Sequence, residues 1–148
     1  MKIFAAIALA SLVVLMACES TDDILDKTDH TAPAIVFTPD TLEVGAGSVF
    51  MVQASIEDQS GLQRIEFSYG DWRINKIIDL TEESGNESYQ FTAEFTVPTN
   101  AKLEWEENLY FNDASSIKIK QHYHRLTLSA WDKNRNLAKG IIYVRVTE

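Results

Sequence analysis

Over most of the stretch from Phe50 to Val146, apolar side chains return at every second residue, a period that dictates half-buried β-strands and not helices. Phe50, Val52, Ala54 and Ile56 share one face of such a strand, with Met51, Gln53 and Ser55 on the other. Leu62, Ile65, Phe67 and Tyr69 form the next run against Arg64, Glu66 and Ser68. Tyr89, Phe91, Ala93, Phe95 and Val97 give the cleanest alternation, which stops at Pro98, a residue with no N–H to give a ladder. Trp72 to Leu80, His122 to Trp131 and Gly140 to Thr147 supply three more candidates. Turn chemistry separates them, in Asp58-Gln59-Ser60-Gly61 and again in Gly85-Asn86. Because each strand buries one face, about seven short strands must pack as layers, and the expected fold over residues 32–148 is all-β, a two-sheet antiparallel β-sandwich. Residues 99–121 fit the alternation poorly. They are expected to form a long connection, with room for one helical turn or two irregular strands.

The chain has one cysteine, so no internal disulfide can staple the sandwich. Cys18 instead closes an N-terminal segment of Met1, Lys2 and an apolar run from Ile3 to Ala17, the charge-then-apolar order of a signal peptide and too short for a permanent bilayer span. Leu15-Met16-Ala17-Cys18 resembles the lipobox of bacterial lipoproteins, with an aliphatic residue three before the cysteine and a small one directly before it. That resemblance implies removal of residues 1–17 and lipidation of Cys18, whose sulfur would form a thioether to diacylglycerol. Acyl chains contribute about 0.8 kcal/mol per buried methylene, so two or three of them make a durable membrane anchor. Residues 18–31 are polar and acidic without an apolar period, and are expected to be a tether of roughly 45 Å at full extension. Loss of Lys2 with the signal takes the formal charge from −9 to −10, which argues against nucleic acid as a partner.

Two local patterns carry a further resemblance. Asp58-Gln59-Ser60-Gly61-Leu62 is similar to the Asp-x-x-Gly-hydrophobic turn of bacterial immunoglobulin-like modules, and Ala130-Trp131-Asp132-Lys133-Asn134-Arg135-Asn136 to their Ala-x-Asp-x-x-Gly-Asn hairpin, with Arg135 where the glycine usually stands. With the cysteine and the acidic residues Asp22 and Asp23 after it, the whole chain resembles small immunoglobulin-like surface lipoproteins of Bacteroidota. The likeness implies an immunoglobulin-like sandwich at the outer membrane, on the cell surface or facing the periplasm. It implies no particular activity.

Three constellations are candidates for binding. Asp58, Asp132, Asn134 and Asn136 are hard oxygen donors of the kind that calcium takes in loops at one end of a sandwich; the plainer role for the same residues is to close turns through their own backbone. His122 and His124, two apart on a strand, would share a face, a spacing a transition metal uses, though no third ligand is identifiable. Trp72, Trp105 and Trp131 would stack on sugar rings or anchor a protein partner if exposed, and would cover the edge of the core if not. No nucleophile elbow, phosphate loop or His-Glu-x-x-His is present, and carboxylate pairs such as Glu106-Glu107 stand in polar stretches. The expected function is therefore that of a non-catalytic envelope lipoprotein displaying a binding domain. Its partner would be a glycan at an uptake system or another envelope protein, and its cofactor none, or calcium in a rigidifying role.

Overall fold

The computed structural model describes residues 29–82, 86–112 and 115–148. The expected signal segment and Cys18 lie outside them, as does most of the expected tether. The described chain runs through ten strands: β1 (Ala34–Phe37), β2 (Thr41–Gly45), β3 (Val49–Glu57), β4 (Leu62–Tyr69), β5 (Ile74–Asp79), β6 (Ser88–Thr96), β7 (Trp105–Asn112), β8 (Ser115–Gln121), β9 (Tyr123–Asp132) and β10 (Leu137–Thr147). A single 3-10 turn, Gly70–Trp72, joins β4 to β5. It ends on Arg73 at φ 55°, a left-handed residue that turns the chain back on itself.

Eight of the strands make two packed sheets. One is three-stranded in the order β1-β3-β6, the other five-stranded in the order β2-β10-β9-β4-β5. Every pairing is antiparallel except that of β2 with β10, where Thr41 to Gly45 run parallel to Tyr143 to Thr147. This is the strand order of an immunoglobulin-like sandwich, with β1, β3 and β6 as strands A, B and E and with β10, β9, β4 and β5 as G, F, C and C′. No described strand occupies the place of D beyond β6. The expected two-sheet sandwich is thus found, one strand larger than the seven expected and with one parallel pair.

The period-2 residues line the space between the sheets. Val52, Ile56, Ile65, Phe67, Phe91, Leu126, Leu128, Ile142 and Val144 are all essentially inaccessible to solvent. Aromatic rings bind the layers together: Phe67 lies 4.9 Å from Phe95 and 5.6 Å from Phe91 across the interface. The break in spacing between Leu62 and Ile65 has a structural cause, since the β4 to β9 register shifts between Leu62 and Arg64 and an extra residue bulges out there. Gly140 is required by a close approach. A Cβ there would lie 2.9 Å from both Ile35 Cγ2 and Phe37 Cε2, where β1 crosses β10.

Of the alternatives for residues 99–121, the two strands are found and the helical turn is not. They are β7 and β8, a hairpin belonging to neither sheet, paired from Trp105 with Gln121 to Asn112 with Ser115 and bulged between Tyr110 and Asn112. Only His122 separates β8 from β9, so the hairpin is an outgrowth of β9 beyond the sandwich, roughly 23 Å long at 3.3 Å per residue.

Candidate functional site

At the foot of the hairpin the buried His124 gathers three aromatic partners. Trp72 lies 4.6 Å from its ring, Trp105 4.8 Å and Tyr69 5.7 Å, while Trp72 also meets Tyr69 at 5.2 Å, edge to face. Both imidazole nitrogens are used. Nε2 donates to the carbonyl of Lys102 at 2.8 Å, which leaves Nδ1 to accept from the Tyr69 hydroxyl at 2.8 Å, an assignment that follows from the network. The same hydroxyl reaches Asp71 Oδ2 at 3.1 Å, so its single proton has two acceptors in range. Burial, with the Asp71 carboxylate second, pushes the Tyr69 hydroxyl well above its ordinary ionisation range. His124 therefore has no lone pair to offer a metal. His122 falls between strands and not on one, with its Nδ1 3.9 Å from Glu104. The shared histidine face expected from the sequence is not formed.

The hairpin above this cluster has two unlike faces. Glu106 and Asn108 stand opposite Lys120 and Lys118 on one face, with Lys118 Nζ 3.3 Å from Glu106; Lys120 Nζ also lies 2.8 Å from Glu104, just before β7. The Lys120 ammonium holds the Glu104 carboxyl below its ordinary value, through its hydrogen bond first and its charge second. On the other face Trp105, Glu107 and Leu109 stand opposite Gln121, Ile119 and Ile117, while Tyr110, opposite Ser116, continues the first face. Toward the tip the apolar side chains are open to solvent: Tyr110 is 70% and Phe111 63% exposed, with Leu109 and Ile117 each about half exposed. Glu107 reaches back 3.8 Å to Arg125 on β9 and so joins the hairpin to the outward face of the five-stranded sheet. There Tyr123 and Tyr143 meet edge to face at 6.4 Å, and Ile141, Leu137 and Ile77 are also exposed.

The three tryptophans do not form one platform. Trp72 is buried against Phe50 and His124, and Trp105 is half-buried on the same histidine. Trp131 is seven residues along β9 from His124, roughly 23 Å away, and the Arg64 guanidinium sits 5.2 Å over its ring. A shallow groove of about 450 Å³ runs beside it, lined by Gln63, Arg64, Asp79, Thr81, Trp131 and Arg135. Arg135 holds the left-handed conformation, φ 68°, that the resemblance assigns to glycine.

At the end of the sandwich away from the hairpin, the turns carrying Asp58 and Asp132 do come together. Asp58 Oδ1 accepts from the Ser60 amide at 2.9 Å and the Ser60 hydroxyl at 2.6 Å, an Asx turn that leads into Gly61 at φ 88°. Asp132 Oδ1 accepts from the Asn136 amide at 2.6 Å, and its Oδ2 from Asn136 Nδ2 at 2.7 Å and the Ser60 hydroxyl at 3.2 Å. Asn136 Nδ2 also donates to the carbonyls of Asp29 at 2.9 Å and Thr31 at 3.3 Å, which ties the last residues of the expected tether to the domain. A carboxylate oxygen from each of Asp29, Asp58 and Asp132 falls within 4.8 Å of the other two. The backbone amide of Thr31, then its hydroxyl, hold the Asp29 carboxyl below its ordinary value. Beside the cluster a cleft of about 520 Å³ is lined by Asp29, Thr31, Glu57, Asp58, Glu87 and Ser88. Asn134 is exposed and does not belong to the group. Asp29 was not singled out by the sequence, because it sits in a run of like polar residues.

No protein-family model matches the chain, and no curated protein matches it. Among solved structures it is similar to the BIgI domain of beta protein from S. agalactiae bound to CEACAM1, at 12% identity and a TM-score of 0.35 over 78% of this chain and 96% of that one. It is similar also to macromomycin, at 12% identity and a TM-score of 0.36 over 75% of this chain and 97% of that one.

Proposed function

We propose that this chain is a non-catalytic lipoprotein of the bacterial envelope, anchored through Cys18, whose immunoglobulin-like domain docks on a partner protein through the β7–β8 hairpin and the adjoining outward face of β9 and β10. One observation carries the reading: the two aromatic side chains toward the hairpin tip, Tyr110 and Phe111, stand in solvent at the end of a ribbon that contributes nothing to the core beyond its foot. Exposed apolar groups on a monomer mark interaction sites, and aromatic residues dominate the energetics of such sites. The ion pair of Lys118 with Glu106, nearer the foot, keeps the ribbon soluble. A glycan platform has less support, since the indoles lie apart and two of the three are committed to His124. In affinity capture from solubilised envelopes, the wild-type chain should retain a partner that the Leu109→Ser/Phe111→Ser double variant loses. Equal retention by both would refute the hairpin as the docking element.

A second reading concerns the opposite end. The convergence of three carboxylates beside an acidic cleft favours calcium as a rigidifying ligand there, with Asp29, Asp58 and Asp132 as the charged donors in place of the expected set that included Asn134. Binding through Asp132 Oδ2 requires the Asn136 side-chain amide, which now donates to that oxygen, to rotate. A rise in melting temperature with added calcium supports this reading, and an unchanged value at millimolar calcium rejects it.

A further inference from the structure

The three-stranded sheet ends on β6, nine residues long, and among the described residues no strand or helix covers its far edge. Natural proteins blunt such edges with bulges, proline, lysine or short strands. β6 has none of these. Its register with β3 runs unbroken from Val49 opposite Thr96 to Glu57 opposite Ser88, and its only charged residue is Glu94. The other open edge on that flank, β5, is shorter and has Lys76 near its middle.

The hydrogen-bond pattern fixes which groups face outward. Beyond the two ends of β6, Val97 donates to Ser48 at 2.9 Å and Asp58 donates to the Glu87 carbonyl at 2.8 Å, so the odd-numbered residues bond to β3. In an antiparallel ladder the alternate residues point their N–H and C=O the other way. Ser88, Gln90, Thr92, Glu94 and Thr96 therefore present five donors and five acceptors to the open side.

The strand is complementary to itself. Turned about a two-fold axis at its midpoint, Thr92, the strand places Ser88 opposite Thr96, Gln90 opposite Glu94 and Thr92 opposite Thr92 of a second copy. All ten outward backbone groups are then paired, and this is the register that overlaps the full length of both strands. On the outer face Gln90 gives its amide to Glu94 and no like charges meet. On the inner face Tyr89 falls against Phe95 and Phe91 against Ala93, which covers two aromatic residues, Tyr89 and Phe95, that the monomer leaves half-buried. We infer that β6 pairs antiparallel with β6 of a second copy of this chain, so that the two three-stranded sheets become one of six strands. The hairpin and the outward face of the five-stranded sheet stay free in this dimer, so it stands whether or not they dock a partner.

The test uses the full chain in detergent. In the wild type Cys18 is the sole cysteine, which makes the parent the background control. Hydrogen-bonded antiparallel partners have Cα atoms about 5.5 Å apart, within disulfide reach, so Thr92→Cys should give a linked homodimer on mild oxidation and Gln53→Cys, one strand inward, none. Thr92→Pro removes an N–H that bonds nothing within the monomer, so it should keep the circular dichroism spectrum of the fold and abolish the dimer in sedimentation equilibrium. Register is read by charge: Gln90→Lys should tighten the dimer about fivefold and Gln90→Glu loosen it about fivefold, each change being felt twice across the axis. A wild-type chain that sediments as a monomer, or a Thr92→Cys variant that links only to another protein or not at all, overturns the inference.

Discussion

At the scale of the residue, His124 shows how a polar side chain is kept inside a small sandwich. It replaces what would be an aliphatic position in the series Leu126, Leu128, Ala130, and it is tolerated because both nitrogens are bonded and three aromatic rings pack on it. His124→Ala would leave the Lys102 carbonyl without its donor, leave the Tyr69 hydroxyl only Asp71 to bond, and open a void among the rings. A loss of about 3 kcal/mol in urea unfolding is expected, with the foot of the hairpin exchanging its amides faster. Asp132 has the same character at the other end, fully buried and accepting from Asn136 twice and from Ser60. Asp132→Ala should destabilise by about 1–3 kcal/mol, because the part-buried Asn136 backbone amide loses its acceptor and the turn its closure. The sequence marked Asp58 and Asp132 correctly as turn closers, since Asp followed closely by Ser, Gly or Asn has that local chemistry. It did not show that Trp72 and Trp105 share one histidine, because their contact depends on how a 3-10 turn and a distant hairpin fold onto β9.

Among the elements, those whose period is regular were legible and those whose period is interrupted were not. β3, β6 and β9 follow directly from alternation, and the bulge in β4 explains the one irregular spacing among the expected strands. The hairpin escaped because Leu109, Tyr110 and Phe111 are consecutive, which hides period 2 and offers no face to a core. An apolar run that serves an outward surface has no reason to alternate. Leu109→Ser and Phe111→Ser should therefore change the unfolding free energy by less than about 0.5 kcal/mol each, the range of surface substitutions, while removing partner binding. Gly140→Ala should do the reverse. Its methyl would press on Ile35 and Phe37 at 2.9 Å, costing about 1–3 kcal/mol of stability without touching the hairpin.

For the whole molecule, topology distributes chemistry between two ends. The hairpin and the aromatic residues of β9 and β10 occupy one, and the carboxylate cluster with the chain entry at Asp29 the other. Under the proposed anchoring through Cys18, a chain that enters at Asp29 beside the carboxylates would put the hairpin at the end away from the anchor, which suits docking on a partner beyond the membrane. The acid limb of stability follows from the same surface. Asp29, Asp79 and Glu104 are held below their ordinary values of 3.8 and 4.5 by hydrogen bonds, so what they contribute is present above those values and is lost as pH falls through the lower folded ones. Urea midpoints should accordingly hold steady toward neutral pH and begin to fall below about pH 4.5. The sandwich class was readable from the sequence because it follows from strand number and alternation. The parallel β2 to β10 pairing and the open β6 edge were not, since both depend on which strands neighbour each other in space. The most direct test of the docking surface is site-specific photo-crosslinking in intact cells, with a benzophenone side chain placed in turn at Phe111, Tyr143 and Gln53. The account predicts one and the same adduct from the first two positions and none from the third; no adduct at Phe111, or an equal yield from Gln53, would contradict it.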